Sequence, residues 1–424
     1  MKGTITLSQK ELHRGRVLEE VVRGRLSLLE GAELMSVSYR QAKRLKARYE
    51  DGGVGALAHG NRGRPVRHAL SGELRRKVLE LSGSRYKDFN DVHFVEKLRE
   101  KEGIQISRES VRLLRRGAGQ KPKRRRRPPK HFSRRQRKGQ AGMMIQWDGS
   151  PHRWFGPNRP PCCLLSAVDD ATSRLLAARF VPVESAGAYL ELLDTLLHHH
   201  GIPLSIYHDR HSSLVRNDEY WSIEEELQGR QYPTHVGRVL EELGIRSIPA
   251  RSPQAKGRIE RSFGTLQDRL VAELALEGIR DMETANRWLE DVFIDRYNDR
   301  FGQEAEEAGS AFRAIRPKDR YQAIAFAYEA TVARDNCVRL GGLLIDIPPG
   351  RKGRSFAGRR VLVKQHLDGA WTVWDQGRQI AAHEPTPFRE PVRSWKARRG
   401  KESPRGRKAI QVYIASRPAM PTSL

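Results

Sequence analysis

Apolar positions recur with a helical period up to about residue 116, change to short strands interleaved with helices from Met143, and close in a set of short strands before a polar tail. Near the start, LSLLEGAELMSVSYRQAKRLKARY predicts a helix from about Ser27 to Leu34, a turn through Met35 to Val37, and a second helix from Ser38 to Tyr49. Ser38 suits an N-cap, and Ala42, Leu45 and Tyr49 fall at i, i+3 and i+7, one buried stripe. The opposite face carries Arg40, Lys43 and Arg44. Two helices so joined are a helix-turn-helix arrangement, whose second helix meets the major groove; a merely solvated basic face is the competing reading.

After the glycine-rich break at Asp51 to Gly55 comes Arg62-Gly63-Arg64-Pro65, which can lie extended in a narrow minor groove or serve as a plain linker. A second helical unit runs from about Gly72 to Arg116 and ends in SRESVRLLRR. There Ser107 caps a helix with Val111 and Leu114 inward and Arg108, Arg112 and Arg115 outward, a second helix-turn-helix. From Lys121 to Gly139, 11 of 19 residues are Lys or Arg, Lys123, Arg124, Arg125, Arg126 and Arg127 among them. Such a run cannot bury itself and is expected to order on phosphates.

Beyond it the pattern reads strand (MMIQWD), strand (CCLLSAVDD), strand (LLAARFVPV), helix (AGAYLELLDTLLHHH), strand (LSIYHD), helix (VGRVLEELG), strand (RSIPAR) and a long helix from about Lys256. In that last helix Ile259, Phe263, Leu266, Leu270 and Leu274 form the inward stripe. The order βββαβαβα is the ribonuclease-H-like arrangement. Helical sequence is expected to continue to about Ala330; VLVKQHL, AWTVWD and RQIAAH then read as strands joined at Asp368-Gly369 and Gln376-Gly377, a small β-barrel.

The expected chain is therefore multidomain, with all-α helix-turn-helix units, a central α/β core and a C-terminal β-barrel. Its boundaries are a DNA-binding domain at 1–65, a second helix-turn-helix-like domain at 66–120, a basic linker at 121–142, the core at 143–300, a helical connector at 301–330, the barrel at 331–384 and a disordered basic tail at 385–424.

Charge fits that layout. Against 51 acidic residues stand 78 Lys and Arg, a formal net charge of +27, which calls for a polyanionic partner. A membrane surface is the rival polyanion, but no run of about 18 apolar residues and no secretory leader pattern is present, so a cytoplasmic, nucleoid-associated protein is expected. Cys162, Cys163 and Cys337 form no CxxC pair, which argues against structural zinc.

Three carboxylates fall at the ends of core elements: Asp148 closes the first strand, Asp209 the fourth, and Glu260 lies in the first turns of the long helix. Strands one and four are parallel neighbours in a ribonuclease-H-like sheet, so the first two carboxylates should lie side by side, with the third arriving from the helix. Like charges so placed repel until divalent cations join them. Mg²⁺ (or Mn²⁺) takes carboxylate, water and phosphate oxygens, and two ions about 4 Å apart can activate an attacking oxygen and steady a leaving one. Phosphodiester hydrolysis followed by transesterification is the chemistry implied. No GxxxxGK[ST] loop for a nucleotide triphosphate is found.

The segments IQWDGS, IYHDR and SPQAKGRIERSFGTLQDRL, with helix-turn-helix units before and strands after, resemble the DDE transposases of bacterial insertion sequences, most nearly the ISNCY class, and the retroviral integrase catalytic core. The resemblance extends over nearly the whole chain. It implies that Asp148, Asp209 and Glu260 are catalytic metal ligands, that the partners are double-stranded DNA at element ends and target, and that a homodimer or larger assembly forms on DNA. Two departures stand out. Asp209 and Glu260 are 51 positions apart, longer than in retroviral integrases, with the surplus expected in Val215 to Thr234 as a surface insertion. Gly264 and Gln267 stand where those integrases carry DNA-contacting lysines, which turns attention to Gln254, Lys256, Arg258 and Arg261 around the start of the helix.

Asp169 and Asp170 read as turn chemistry, His198 to His200 as a helix end before Gly201 rather than zinc ligands, and Trp147 as packing under the sheet. His208 and His211 flank Asp209 and either orient water or phosphate or make structural hydrogen bonds. Besides an active transposase, two readings stay open: a ribonuclease-H-like nuclease that does not join, and an inactive helix-turn-helix repressor.

Overall fold

The computed structural model describes residues 6–61, 70–123, 135–216, 218, 221–250, 257–388, 390–392 and 412–414. The chain forms two compact units, Met1–Val78 and Leu79–Leu424.

In the first unit, α1 (Gln9–Val22), α2 (Leu28–Leu34) and α3 (Tyr39–Gly52) follow one another closely. Their starts are written locally. Ser8 and Ser27 make capping boxes with Glu11 and Glu30, and the Ser38 hydroxyl accepts the Gln41 amide, so the orphan amides of each first turn find partners. Ala42 and Leu45 are buried with Val17, Leu18, Ala32, Met35 and Leu57, and Tyr49 packs on that cluster. The predicted helix, turn and helix are all present.

The second unit begins within α4 (Gly72–Gly83) and continues through α5 (Asp91–Glu102) and α6 (Arg108–Gly117), with Ser107 capping α6 as the sequence suggests. The core sheet follows: β1 (Ile145–His152), β2 (Cys162–Asp169) and β3 (Leu175–Val181), then α7 (Ala186–His199), β4 (Ser205–His208), α8 (Ile223–Gln228), α9 (His235–Glu242), β5 (Arg246–Pro249) and α10 (Gly257–Leu276). Strand order is β3-β2-β1-β4-β5. β1 to β3 pair antiparallel, while β4 lies parallel to both β1 and β5. This is the ribonuclease-H-like sheet that the element order predicts.

Each face of the sheet has its own cover. Ile145, Trp147 and Ile206 point into a cluster with Tyr189, Leu193 and Leu196 of α7 and Val236 and Leu240 of α9. The other face holds Leu164, Val168, Leu175 and Phe180 against Ile259, Phe263, Leu266, Leu270 and Leu274, the whole predicted stripe of α10. Beyond α10, α11 (Met282–Trp288), a π turn at Leu289–Phe293 and α12 (Ile294–Phe301) run on as one bent helix on this side. The Val215 to Thr234 insertion carries α8, whose Glu225 closes a capping box with Ser222 and pairs with Arg216.

The C-terminal third departs from expectation. The connector is helical only in α13 (Pro317–Ala323), and β6 (Ala325–Thr331) starts inside it, because Phe326 and Tyr328 gain burial by pairing with a distant strand. β6, β9 (Arg360–His366), β10 (Trp371–Asp375) and β11 (Arg378–His383) form an antiparallel sheet in the order β11-β10-β9-β6. A separate sheet joins β7 (Cys337–Leu340), β8 (Leu343–Asp346) and β12 (Val412–Ile414). Two small sheets thus stand where one closed barrel was expected, and β11 and β6 remain edges among the described residues. The Gln376-Gly377 turn is as predicted, both residues having positive φ (48° and 79°), the geometry of a tight primed hairpin. The expected disordered tail is partly ordered: Gln365 Nε2 donates to the Phe388 and Glu390 carbonyls, and β12 lies parallel to β8. Among the described residues no helix is long and apolar enough to cross a membrane.

Candidate active site

Side chains alternate across a strand, so β1 sends odd and even positions to opposite faces. Ile145 and Trp147 join the α7 side. Gln146 and Ser150 turn to α10, where the Gln146 Oε1 accepts the Ile259 amide at 3.2 Å and Ser150 Oγ accepts Gln267 Nε2 at 3.1 Å. Asp148 lies between those two and shares their face. β4 pairs with β1 in parallel as Ile145↔Ile206 and Gln146↔Tyr207, so the strand that Asp209 directly follows neighbours the strand that carries Asp148. Both carboxylates are half-buried.

Local backbone orients each. Asp148 Oδ1 accepts the Gly149 amide at 3.1 Å, and Asp209 Oδ1 accepts the His211 amide at 3.0 Å. Gly149 lets the Glu184 carboxylate pack against the strand: a Cβ there would stand 2.3 Å from Glu184 Oε1 and displace it. Glu184 in turn accepts the hydroxyl of the buried Tyr189 at 2.8 Å, and the Tyr189 ring stacks on Trp147 at 5.8 Å. Burial pushes the Tyr189 phenol far up, and the negative charges of Glu184, Asp209 and Asp148 push the same way. The phenol therefore stays a proton donor beneath the carboxylates.

Glu260 lies in the first turn of α10, exposed, seven residues and so two turns before Gln267, on the helical stripe that follows β1. Among the described residues no three His, Cys, Asp or Glu side chains stand close enough to hold a metal ion. Asp148 and Asp209 thus belong to neighbouring parts of the sheet, and among the described residues no preassembled triad is present. Three like charges gain nothing from close approach until a cation joins them. The donor set of this face is nonetheless all oxygen, as Mg²⁺ prefers, and two carboxylates with water and phosphate are within its ordinary coordination.

The residues expected to hold DNA divide sharply. Arg40, Lys43 and Arg44 are exposed on α3, and Arg108 is exposed on α6. Arg112, also exposed, forks onto Glu109. Arg115, expected outward, is instead buried, bonded to Ser82 Oγ, Asp91 Oδ1 and the Tyr86 and Phe89 carbonyls and stacked on Phe94. Lys123 reaches α10, where its Nζ donates to the Asp268 carbonyl at 2.7 Å and pairs with its carboxylate at 3.1 Å. Arg258 turns inward onto Asp170 at 2.7 Å, and burial lowers its pKa against the pull of that carboxylate. Arg261 is exposed and donates to the Gly257 carbonyl. Arg62, Arg64, Arg124, Arg125, Arg126, Arg127, Gln254 and Lys256 lie outside the described residues.

Other sequence readings resolve as follows. His208 is buried and bonds the Asp209 carbonyl and Ser247 Oγ, a structural role. His199 meets Glu290, and His200 meets the Leu176 carbonyl. Asp169 is turn chemistry, accepting the Thr172 amide and hydroxyl. Asp170 is more than that. Fully buried, it gathers Gln146, Arg258, Arg135 and the Lys138 amide. The signal for this was the even spacing of Gln146 and Asp148 on one strand, which makes Gln146 a buried polar group in need of a partner.

Comparison with known proteins agrees with this architecture. Residues 13–65 match the helix-turn-helix domain family. The chain is 39% identical over 299 residues to the putative transposase y4bF of Sinorhizobium fredii, covering 70% of this chain and 64% of that one, so it spans less than two thirds of that relative. It is 31% identical over 389 residues to the transposase for insertion sequence IS1202 of Streptococcus pneumoniae, covering 83% of this chain and 82% of that one. Solved structures with some likeness include the HTLV-2 integrase catalytic core domain in complex with magnesium, at 15% identity over 36% of this chain and 88% of that one, with a TM-score of 0.25. Another is the simian T-cell lymphotropic virus intasome in complex with the PP2A regulatory subunit B56 gamma, at 13% identity over 73% of this chain and 100% of that one, with a TM-score of 0.29. Likenesses that slight carry no argument, and the core topology stands on its own strand order. With a helix-turn-helix domain ahead of a ribonuclease-H-like sheet, and the Streptococcus relative matched over most of both chains, this chain belongs to the transposases of insertion sequences.

Proposed function

We propose that this transposase binds the terminal inverted repeats of its insertion sequence, cuts the DNA there and joins the freed end to a target. The observation that supports this reading is the parallel pairing of β1, which carries Asp148, with β4, which Asp209 directly follows, in a sheet covered on one face by the Glu260 helix. Asp148 and Asp209 would hold divalent cations, Mg²⁺ or Mn²⁺, with Glu260 as the third ligand from α10. When bound, two such ions polarise the scissile phosphate and lower the pKa of an attacking water or 3′ hydroxyl.

The chain's own residues do the rest. Gly149 and His211 lend their amides to the two aspartates and so fix which oxygens face the open side. Ser150 and Gln267 tie α10 to β1, which keeps Glu260 over the same strand. Arg40, Lys43 and Arg44 present a cationic helix face to the repeat, and the basic arm around residues 121–139 adds phosphate contacts. Two element ends have to meet for joining, so the working form on DNA is a dimer or larger, acting at the bacterial nucleoid.

The test is strand cleavage and transfer on donor-end DNA with Mg²⁺ or Mn²⁺. Asp148→Asn, Asp209→Asn and Glu260→Gln are each expected to lose both reactions while still binding the end in EDTA. Cleavage that survives Asp148→Asn or Glu260→Gln overturns the metal assignment. Nicking with no joined product replaces it with a nuclease.

A further inference from the structure

Asp170 follows β2 directly and is fully buried, yet it touches three parts of the chain that matter to the site. Its Oδ1 accepts Gln146 Nε2 at 2.7 Å, from the strand that bears Asp148. The same oxygen takes Arg258 Nη1 at 2.7 Å, from the start of the helix that bears Glu260. Arg135, at the end of the basic arm, also pairs with it, and Oδ2 accepts the Lys138 amide at 3.0 Å.

These contacts form a closed set. Gln146 passes its Oε1 to the Ile259 amide at 3.2 Å, one of the first-turn amides that a helix cannot satisfy itself. Arg258 Nη2 donates to the Arg135 carbonyl at 2.6 Å, and Arg137 Nη1 donates to the Asp170 carbonyl at 3.1 Å. Two routes, one through Gln146 and one through Arg258, therefore run from a single carboxylate to the residues on either side of the Ile259 amide. A third runs to the arm. Without that negative charge, Arg135 and Arg258 would be two like charges crowded into a half-buried site, which is costly.

We propose that Asp170 is a positioning residue for Glu260, the junction at which the basic DNA-binding arm and the first turn of α10 are locked to the strand carrying Asp148. It acts through Gln146 and Arg258, not on the substrate. This rests on Glu260 being a metal ligand, as proposed above.

The experiment compares the wild-type chain with Asp170→Asn, Asp170→Glu and Arg258→Gln. Hydrogen exchange of the metal-free protein reads the Ile259 and Glu260 amides; cleavage of donor-end DNA is titrated with Mg²⁺; end binding is measured in EDTA. Asp170→Asn is expected to speed exchange at residues 257–262 and to raise the Mg²⁺ requirement or lower the rate about 10- to 100-fold, the usual loss when a group supporting a metal ligand is removed. End binding should stay within about threefold, because the charges that meet phosphate are kept. Asp170→Glu should recover part of the loss. If Asp170→Asn unfolds, Arg258→Gln carries the test, with the same pattern expected in amide exchange and Mg²⁺ requirement.

Wild-type exchange at Ile259 together with a wild-type Mg²⁺ profile overturns the role. A failure of the underlying reading looks different: Glu260→Gln would then cleave normally, whatever Asp170→Asn does to amide exchange.

Discussion

Two helical units in this chain carry the same local grammar and end in opposite situations. In the first, α2 and α3 turn on Ser38, and the unit closes over its own cluster of Val17, Leu18, Ala32, Met35, Ala42, Leu45 and Leu57. Arg40, Lys43 and Arg44 stay exposed. In the second, α5 and α6 turn on Ser107, but α5 is completed by α10. His93 meets Glu273 at 2.7 Å, Arg269 forks onto Glu96 at 2.7 and 2.9 Å, and Asn90 bonds Asp268. The first unit leaves the basic face of its second helix exposed, whereas α5 commits polar side chains to α10.

The largest effect that separates the two is Arg115→Ala. It leaves two main-chain carbonyls without their buried partner and Asp91 with Arg116 alone, and should cost about 2–3 kcal/mol in urea unfolding of the unit that contains α10. A loss below about 1 kcal/mol would put α6 back among free recognition helices. Next is the triple variant Arg40→Ala, Lys43→Ala, Arg44→Ala. It should weaken end binding at least about tenfold and lower the salt slope by up to about 0.9 per lost phosphate contact, with an unchanged melting temperature. An unchanged slope would make that face merely solvated.

A pH effect sharpens the comparison further, because among the described residues the second unit, unlike the first, buries a histidine against a carboxylate. Burial holds His93 below its usual 6.5, outweighing the upward pull of Glu273. The unfolded chain then takes up a proton before the folded one does, so stability falls as pH drops below about 6.5. Glu273 is held at about 2, by His93 and Lys97 against the opposing effect of burial, and its contribution is lost from about 4.5 down towards 2. Urea midpoints at pH 7.5 and 5.5 should therefore differ for the wild type and differ less for His93→Gln, the remainder coming from His152, His200, His235 and His366, which burial also holds below the usual value. The smallest effect is expected of Arg112→Ala. With Glu109 already forked onto that guanidinium, the salt slope of end binding should change by less than about 1.

Much of the site was legible because its signals are local. Asp148 and Asp209 sit at the ends of apolar strand runs, and the stripe Ile259, Phe263, Leu266, Leu270, Leu274 announces α10 and the face that Glu260 borders. Arg115 was misread as outward, and the ion pairs of Lys123 and Arg258 were not foreseen, because a cation in a basic chain looks solvated until its carboxylate is known. Their partners Asp91, Asp268 and Asp170 lie 24, 145 and 88 positions away. The C-terminal barrel failed for a related reason: β6 is alanine-rich and locally suits a helix, and only pairing with β9 makes it a strand.

Alone, the sequence determined the helix starts, through serines that satisfy amides within three residues, and the order of strands and helices, through the period of apolar burial. It also determined that carboxylates follow the apolar runs of β1 and β4, although β1 itself continues past Asp148 to His152. Tertiary structure decided which charges face solvent and which are locked inside, since a buried ion is tolerated only where distant partners converge on it. It also decided that Asp209 follows a strand paired with the one that carries Asp148, although two other strands and a helix separate them in the chain. Glu260 belongs to both accounts: its place on the helix is written locally, and the first turn that carries it is tied to β1 through Gln146, which Asp170 holds.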